Sequence, residues 1–238
     1  MKGINIITPV KDSIEYTLET IRAILESDIK ASFTYTVYND FSSEENTRIL
    51  EEASKNMGFE LVNLAGITTS PSPNYLLVLQ IAQQRAIDEE RGLLIIESDV
   101  VVAKNTIEEL YAGAVTQDKC GIVASVTVNE DGFANYPYKH CKNKMNKVFT
   151  TRKHCSFCCS LLTLEFLKSF DFRQLDASKN WYDVFISKKS REFGYKNYLY
   201  TNLPVLHRPH GSRPWKHLKY KNPIKYYWIK WKSNLDRI

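Results

Sequence analysis

The sequence predicts an α/β fold, a mostly parallel sheet with helices on both faces. Two observations point there. Over the first 130 residues, short β-branched or apolar runs alternate with segments whose apolar residues recur at helical spacing. The run Gly92–Ile96 (GLLII) is apolar almost throughout, as a strand buried on both faces must be. Such alternation builds β-α-β units with right-handed crossovers.

The elements follow in order. Residues 3–7 form a β-rich run, and Ile14, Leu18, Ile21 and Leu25 then repeat at helical spacing. Residues 33–38 (FTYTVY) are β-branched and aromatic, the composition of a strand. Glu44–Met57 reads as a helix with Ser42 or Ser43 as N-cap and Gly58 as its stop. A strand over 59–64, a helix over 74–90, the strand Gly92–Ile96, a helix over 105–114 and a strand over 121–128 complete this half. Further on, 181–193 is helix-like and 198–206 strand-like.

Composition narrows the class. With 43% hydrophobic and 25% charged residues in 238, the chain has the balance of a folded globular protein. No 18-residue apolar run exists to span a bilayer. The short apolar N-terminus is broken by Lys11 and Asp12 and lacks a small-residue cleavage site, so it is a poor signal peptide. Five cysteines, an odd number, suit free thiols in a reducing cytoplasm, the expected location. Charge is divided: residues 1–130 carry a net −10 and residues 131–238 a net +15. A basic second half suits an anionic partner such as phosphate, nucleic acid or a membrane surface.

In open parallel sheets, ligands bind beyond the carboxyl ends of the strands. Thr8, Pro9 and Val10 follow the first predicted strand, Asn39 and Asp40 the second, and Glu97, Ser98 and Asp99 the fourth. This acidic and amide lining suits a base and ribose, or a divalent metal. Carboxylates two residues apart present oxygens to a hard cation such as Mg²⁺ or Mn²⁺. Neither G-x-G-x-x-G nor G-x-x-x-x-G-K-[ST] occurs, so a glycine-rich phosphate cradle is not the mechanism. A bound diphosphate would need a metal and Lys, Arg or His.

Four stretches, in this order and spacing, resemble glycosyltransferase family 2 of the bacterial surface-polysaccharide type, with its GT-A, Rossmann-like fold. Ile6 to Val10 resembles the first strand and uridine-side loop. Val37 to Glu44 (VYNDFSSE) resembles V-V-D-D-G-S-T-D. Leu94 to Asp99 (LIIESD) resembles the strand ending in the metal-binding D-x-D. Tyr182 to Phe185 resembles E-D-x-D, with Gly194 and Tyr195 at the family's separation, 11 residues from Asp183 to Gly194. Asn39, Glu97, Tyr182 and Phe185 depart from the pattern.

The resemblance implies an inverting transfer of sugar from a nucleoside-diphosphate sugar, UDP being the commonest carrier, to a hydroxyl of a glycan or lipid-linked acceptor. It implies Asp183 as general base and Mn²⁺ or Mg²⁺ on the diphosphate. Asp99 is the expected metal ligand, with Glu97 on the metal or the ribose. Thr8, Pro9, Val10, Asn39, Asp40, Glu97 and Ser98 are expected around the nucleotide. His207 matches an H-x-x-x-G-S segment with Gly211 and Ser212 and is expected on the metal or diphosphate, with Arg208 and Arg213 as neighbouring cations. The implied organisation is a GT-A domain over 1–212, with a nucleotide half (1–130) and an acceptor half (131–212), then a tail over 213–238.

Two features stand outside that pattern. Cys155 and Cys158 form a C-x-x-C near Cys141 and His154, a weak zinc signature lacking a second ligand pair; free cysteines packing as small hydrophobes explain it as well. The tail interleaves lysines with aromatics, and Ile224, Tyr227, Trp228 and Trp231 form a helical stripe. That pattern suits an anionic membrane surface, packing on the domain or a second copy, or single-stranded nucleic acid. The membrane surface, on the inner face of the cell membrane, is the expected partner; nucleic acid is not expected. Rival readings are a non-catalytic nucleotide-sugar-binding module and a sugar nucleotidyltransferase, whose glycine-rich basic loop is missing after the first strand.

Overall fold

Every strand and helix expected in the first 130 residues is present in the computed structural model, which describes residues 1–179, 181–208 and 222–232. The order is β1 (Ile4–Val10), α1 (Ile14–Leu25), β2 (Phe33–Asn39), α2 (Glu44–Met57), β3 (Glu60–Asn63), α3 (Tyr75–Asp88), β4 (Gly92–Ile96), β5 (Val100–Val101), α4 (Thr106–Thr116) and β6 (Cys120–Val128). There follow β7 (Val148–Thr150), β8 (Cys159–Leu162), α5 (Leu164–Ser169), α6 (Tyr182–Glu192), β9 (Lys196–His207) and α7 (Pro223–Lys232).

The strands form one sheet ordered β3-β2-β1-β4-β8-β6-β9-β5, with β7 against β9. Strands β1 to β4 pair in parallel, as do β6 and β9. The run 158–164, rich in cysteine and leucine, is where β8 forms. It enters antiparallel between β4 and β6, and all four of its residues are buried.

Alternation along the strands divides the core in two. Leu93 and Ile95 of β4 face one cluster, with Val78 and Leu79 of α3, Phe166 of α5 and Ile186 of α6. Leu94 and Ile96 face the other, with Ile21 and Ile24 of α1, Leu50 of α2 and Ile107 and Leu110 of α4. A period of two in each strand thus explains helices on both faces.

One boundary is corrected. Thr8, Pro9 and Val10 belong to β1 itself, in register with Val37, Tyr38 and Asn39, and the loop begins at Lys11. Pro9 is tolerated because β4 pairs with β1 only as far as Ile7, so that side of the ladder is already open. Gly194 takes a left-handed φ of 86° just past α6, where its N–H reaches Arg191 O at 3.0 Å and that of Tyr195 reaches Ser190 O at 3.0 Å. The Gly-Tyr pair therefore terminates the helix that carries Asp183.

Candidate functional site

The parallel strands deliver their carboxyl ends to one edge, and β8, running the other way, delivers its amino end there. Glu97 follows β4, Cys158 precedes β8 and His207 ends β9. Their ligand atoms lie within 4.8 Å of one another, the one such trio of His, Cys, Asp and Glu among the described residues. Main-chain bonds hold the three strand ends in place: Glu97 N donates to Cys158 O at 3.1 Å, and Val100 pairs with His207.

The His207 ring is oriented for ligation. Its Nδ1 lies 3.0 Å from Tyr136 O, which makes Nδ1 the protonated nitrogen and leaves Nε2 with a lone pair. Nε2 faces Asp99 Oδ2 at 3.5 Å and Cys158 Sγ at 3.9 Å. The Cys158 thiol donates to Glu97 Oε2 at 3.1 Å and accepts from Ser156 Oγ at 3.2 Å.

Glu97, Cys158 and His207 each hold a proton more tightly than usual, so a cation bound there would displace protons. Burial, then the neighbouring Asp99 carboxylate, raise the Glu97 pKa. Burial, then Glu97, hold the Cys158 thiol well above its ordinary value. At His207, burial disfavours the charged ring, but the Asp99 carboxylate, with help from Glu97, outweighs it and the pKa rises. Two carboxylates, a thiol and an imidazole lone pair in a buried corner fit a divalent cation. The trio contains Glu97, whereas Asp99 meets His207 from beside it; sequence had placed Asp99 first.

Asp183 sits in the first turn of α6, and its charge reaches Glu97 and contributes to raising that pKa. Its Oδ1 accepts from Val184 N at 2.9 Å, and His154 Nε2 lies 4.0 Å from Oδ2. The flanking positions that are acidic in the resembled family are apolar here for a visible reason. Tyr182 is buried with its ring 6.3 Å from that of Tyr75, and Phe185 packs on the same core.

Other expected residues are held by the protein itself. The Thr8 hydroxyl is buried against Tyr35 Oη at 3.0 Å. Asn39 Nδ2 donates to Thr47 Oγ1 (3.0 Å) and Asn63 Oδ1 (2.9 Å), while its Oδ1 accepts from Ser42 N (3.2 Å). Asp40 accepts from Ser72 Oγ at 2.7 Å, Asn74 N at 2.8 Å and Asn74 Nδ2 at 2.8 Å, and so holds the 70–74 loop over the strand edge. The Arg208 guanidinium is paired with Glu19 and with Glu130 and stands 6.0 Å over the Tyr16 ring. Ser98 is buried beside Asp99. Arg213, with Gly211 and Ser212, lies outside the described residues.

Sequence reading missed Asp12, Ser72, Asn74 and the part played by Cys158. Asp12 joins the loop after β1 to that after β2: its Oδ1 accepts from Ser43 N at 2.9 Å and from Asn46 Nδ2 at 3.0 Å. Cys155 and Cys158, the weak C-x-x-C signature, do not share a metal trio among the described residues. Cys155 N donates to Ser187 Oγ at 2.9 Å, on the α6 side, while Cys158 turns to Glu97. All five cysteines are free and buried.

No family model and no curated protein matches the chain. Solved structures do. Residues 1–349 of S. aureus TarS superpose with a TM-score of 0.65 at 15% identity, covering 86% of this chain and 60% of that one. The mannosyltransferase PcManGT from Pyrobaculum calidifontis, solved with GDP-Man and Mn²⁺, gives 0.63 at 13% identity over 97% of this chain and 64% of that one. GalNAc-T7, solved with UDP, GalNAc and Mn²⁺, gives 0.66 at 13% identity over all of this chain and 52% of that one.

The fold is GT-A.

The chain spans 52–64% of the length of these three GT-A proteins. Beyond the GT-A sheet, α7 leaves Ile224, Tyr227, Trp228 and Trp231 between 55% and 85% exposed and buries Tyr226 instead. The expected stripe is therefore formed but does not pack on the domain. No helix among the described residues is long and apolar enough to cross a membrane.

Proposed function

We propose that the protein is a metal-dependent inverting glycosyltransferase that moves a sugar from a nucleoside-diphosphate sugar, with UDP as carrier, to a hydroxyl of a glycan or lipid-linked acceptor. The observation that carries this reading is the meeting of Glu97, Asp99 and His207 at the carboxyl edge of a GT-A sheet, with Asp183 close enough to influence Glu97. The solved neighbours that bind GDP-Man, UDP-GlcNAc or UDP support the donor class.

Glu97 and His207 would hold Mn²⁺ or Mg²⁺, with Asp99 beside them. The cation, when bound, neutralises charge gathering on the departing diphosphate. The chain's own groups do the rest. An acceptor hydroxyl is a weak nucleophile, and Asp183 takes its proton as the oxygen bonds to the anomeric carbon. The bond from that carbon to the diphosphate breaks on the opposite side, which inverts the centre. Asp40, through Ser72 and Asn74, shapes the loop flanking the nucleoside. Arg208 neutralises Glu19 and Glu130 at the rim, which keeps two carboxylates from repelling the donor. The exposed α7 stripe and its lysines rest on anionic lipid at the cytoplasmic membrane face, which suits a lipid-linked acceptor.

The test is Asp183→Asn. Sugar transfer should fall by roughly 10²- to 10⁴-fold, the usual contribution of a positioned base. Donor affinity, measured by calorimetry, should stay unchanged. Transfer at the wild-type rate in this variant removes Asp183 as base.

A further inference from the structure

We propose that Cys158 is a third protein ligand of the cation held by Glu97 and His207, and that its sulfur gives this site a preference for thiophilic divalent ions such as Zn²⁺, Co²⁺ and Cd²⁺ over Mg²⁺. The proposal rests on the metal site described above but is separable from it.

The geometry comes first. A tetrahedral ion with metal–sulfur bonds of about 2.3 Å and metal–nitrogen or –oxygen bonds of about 2.0 Å sets its donor atoms roughly 3.5 Å apart. The two separations from Sγ, 3.1 Å to Glu97 Oε2 and 3.9 Å to His207 Nε2, bracket that value. The donors lie at the ends of three strands, Glu97 just past β4, Cys158 just before β8 and His207 at the close of β9, so their spacing is set by the sheet.

The surroundings are arranged for ligation as well. The Nδ1 contact to Tyr136 O leaves the His207 lone pair on the Cys158 side. Ser156 Oγ lies 3.2 Å from Sγ, as a donor that can stabilise a thiolate. Cys158 and Cys159 both border the core cluster that holds Leu161, and Cys159 serves there as packing. Cys158 differs in having three polar neighbours. Binding breaks the Sγ–H bond, forms an Sγ–metal bond and releases one proton to solvent, with no change of oxidation state. Soft sulfur donors shift selectivity away from Mg²⁺, which takes oxygen ligands.

The experiment is a titration of the full chain with Co²⁺. Wild type should show visible ligand-field bands together with a near-ultraviolet sulfur-to-cobalt charge-transfer band. In Cys158→Ser the charge-transfer band should vanish while the ligand-field bands persist. Zn²⁺ affinity should fall by at least about 10- to 100-fold, and Mg²⁺ affinity should hold. Ligand-field bands without charge transfer in wild type, or charge transfer that survives in Cys158→Ser, overturn the role of Cys158 and leave the site standing. Absence of both bands overturns the metal site itself. Should Cys158→Ser not fold, X-ray absorption on Zn²⁺-loaded wild type decides: one Zn–S distance near about 2.3 Å supports the proposal, and a shell of only nitrogen and oxygen rejects it.

Discussion

Asp40→Ala should destabilise the protein severely. The carboxylate is 8% exposed and accepts three hydrogen bonds, from Ser72 Oγ, Asn74 N and Asn74 Nδ2. The losses are unequal. Ser72 is partly exposed and can turn to water, and Asn74 Nδ2 keeps a second bond to Ser70 O at 3.0 Å. The Asn74 N–H is stranded in a buried position. A stranded buried donor costs about 1–3 kcal/mol and each of the two other lost bonds about 1 kcal/mol, so the sum is about 3–5 kcal/mol. For a chain of this size that lowers Tm by about 6–20 °C. Asp40→Asn keeps one acceptor oxygen and should lose roughly half as much. Urea unfolding monitored by tryptophan fluorescence reads both values. A change below about 0.5 kcal/mol for Asp40→Ala, the range of an ordinary surface substitution, would refute the loop-holding role and return Asp40 to direct recognition of the base.

Two further predictions concern the loops and the tail. The Ser43 N–H, followed by Asn46 and Lys11, holds the Asp12 carboxyl below its usual value despite some burial. Its folded pKa therefore lies under the unfolded value of about 3.9, so its stabilisation is complete above that pH and is lost as pH falls through the folded pKa. The stability gap between wild type and Asp12→Asn should be constant from neutral pH to about 4 and close below it; a gap that does not narrow in acid contradicts the assignment. In flotation assays the chain should bind vesicles containing phosphatidylglycerol and not pure phosphatidylcholine, and Trp228→Ala with Trp231→Ala should abolish binding. Equal binding to both vesicle types, or none to either, removes the membrane reading of α7.

The sheet was legible because its strands differ in periodicity from its helices, and Gly92–Ile96, apolar throughout, could only be a doubly buried strand. Strand β8 was not. Four buried residues carry no period that separates a strand from packed coil, and its place between β4 and β6 depends on partners distant in sequence. The end of β1 was misread because Pro9 looks like a strand terminator unless the missing neighbour beyond Ile7 is known. At the sheet edge, the positions of Glu97 and Asp99 were legible because strand ends and carboxylate spacing are local signals, whereas His207 was singled out only through the H-x-x-x-G-S resemblance. Cys158 was read as buried packing or as half of a weak C-x-x-C with Cys155, because only the antiparallel entry of β8 brings it to Glu97. Asn39 and Asp40 were placed correctly at the strand edge, whereas their partners at 63 and 72–74 are contacts across the fold that no spacing rule announces.

The most direct test is thermal unfolding with UDP, GDP, CDP and dTDP, each with and without Mn²⁺. A nucleotide at a hundred times its dissociation constant adds about 2.7 kcal/mol, which for this chain length is a Tm rise of about 5–10 °C. The account predicts that rise with one nucleotide, UDP, only when Mn²⁺ is present, and its loss in Glu97→Gln. No rise with any of the four, or the same rise without metal and in Glu97→Gln, would contradict a metal-assisted nucleotide-sugar site at this edge of the sheet.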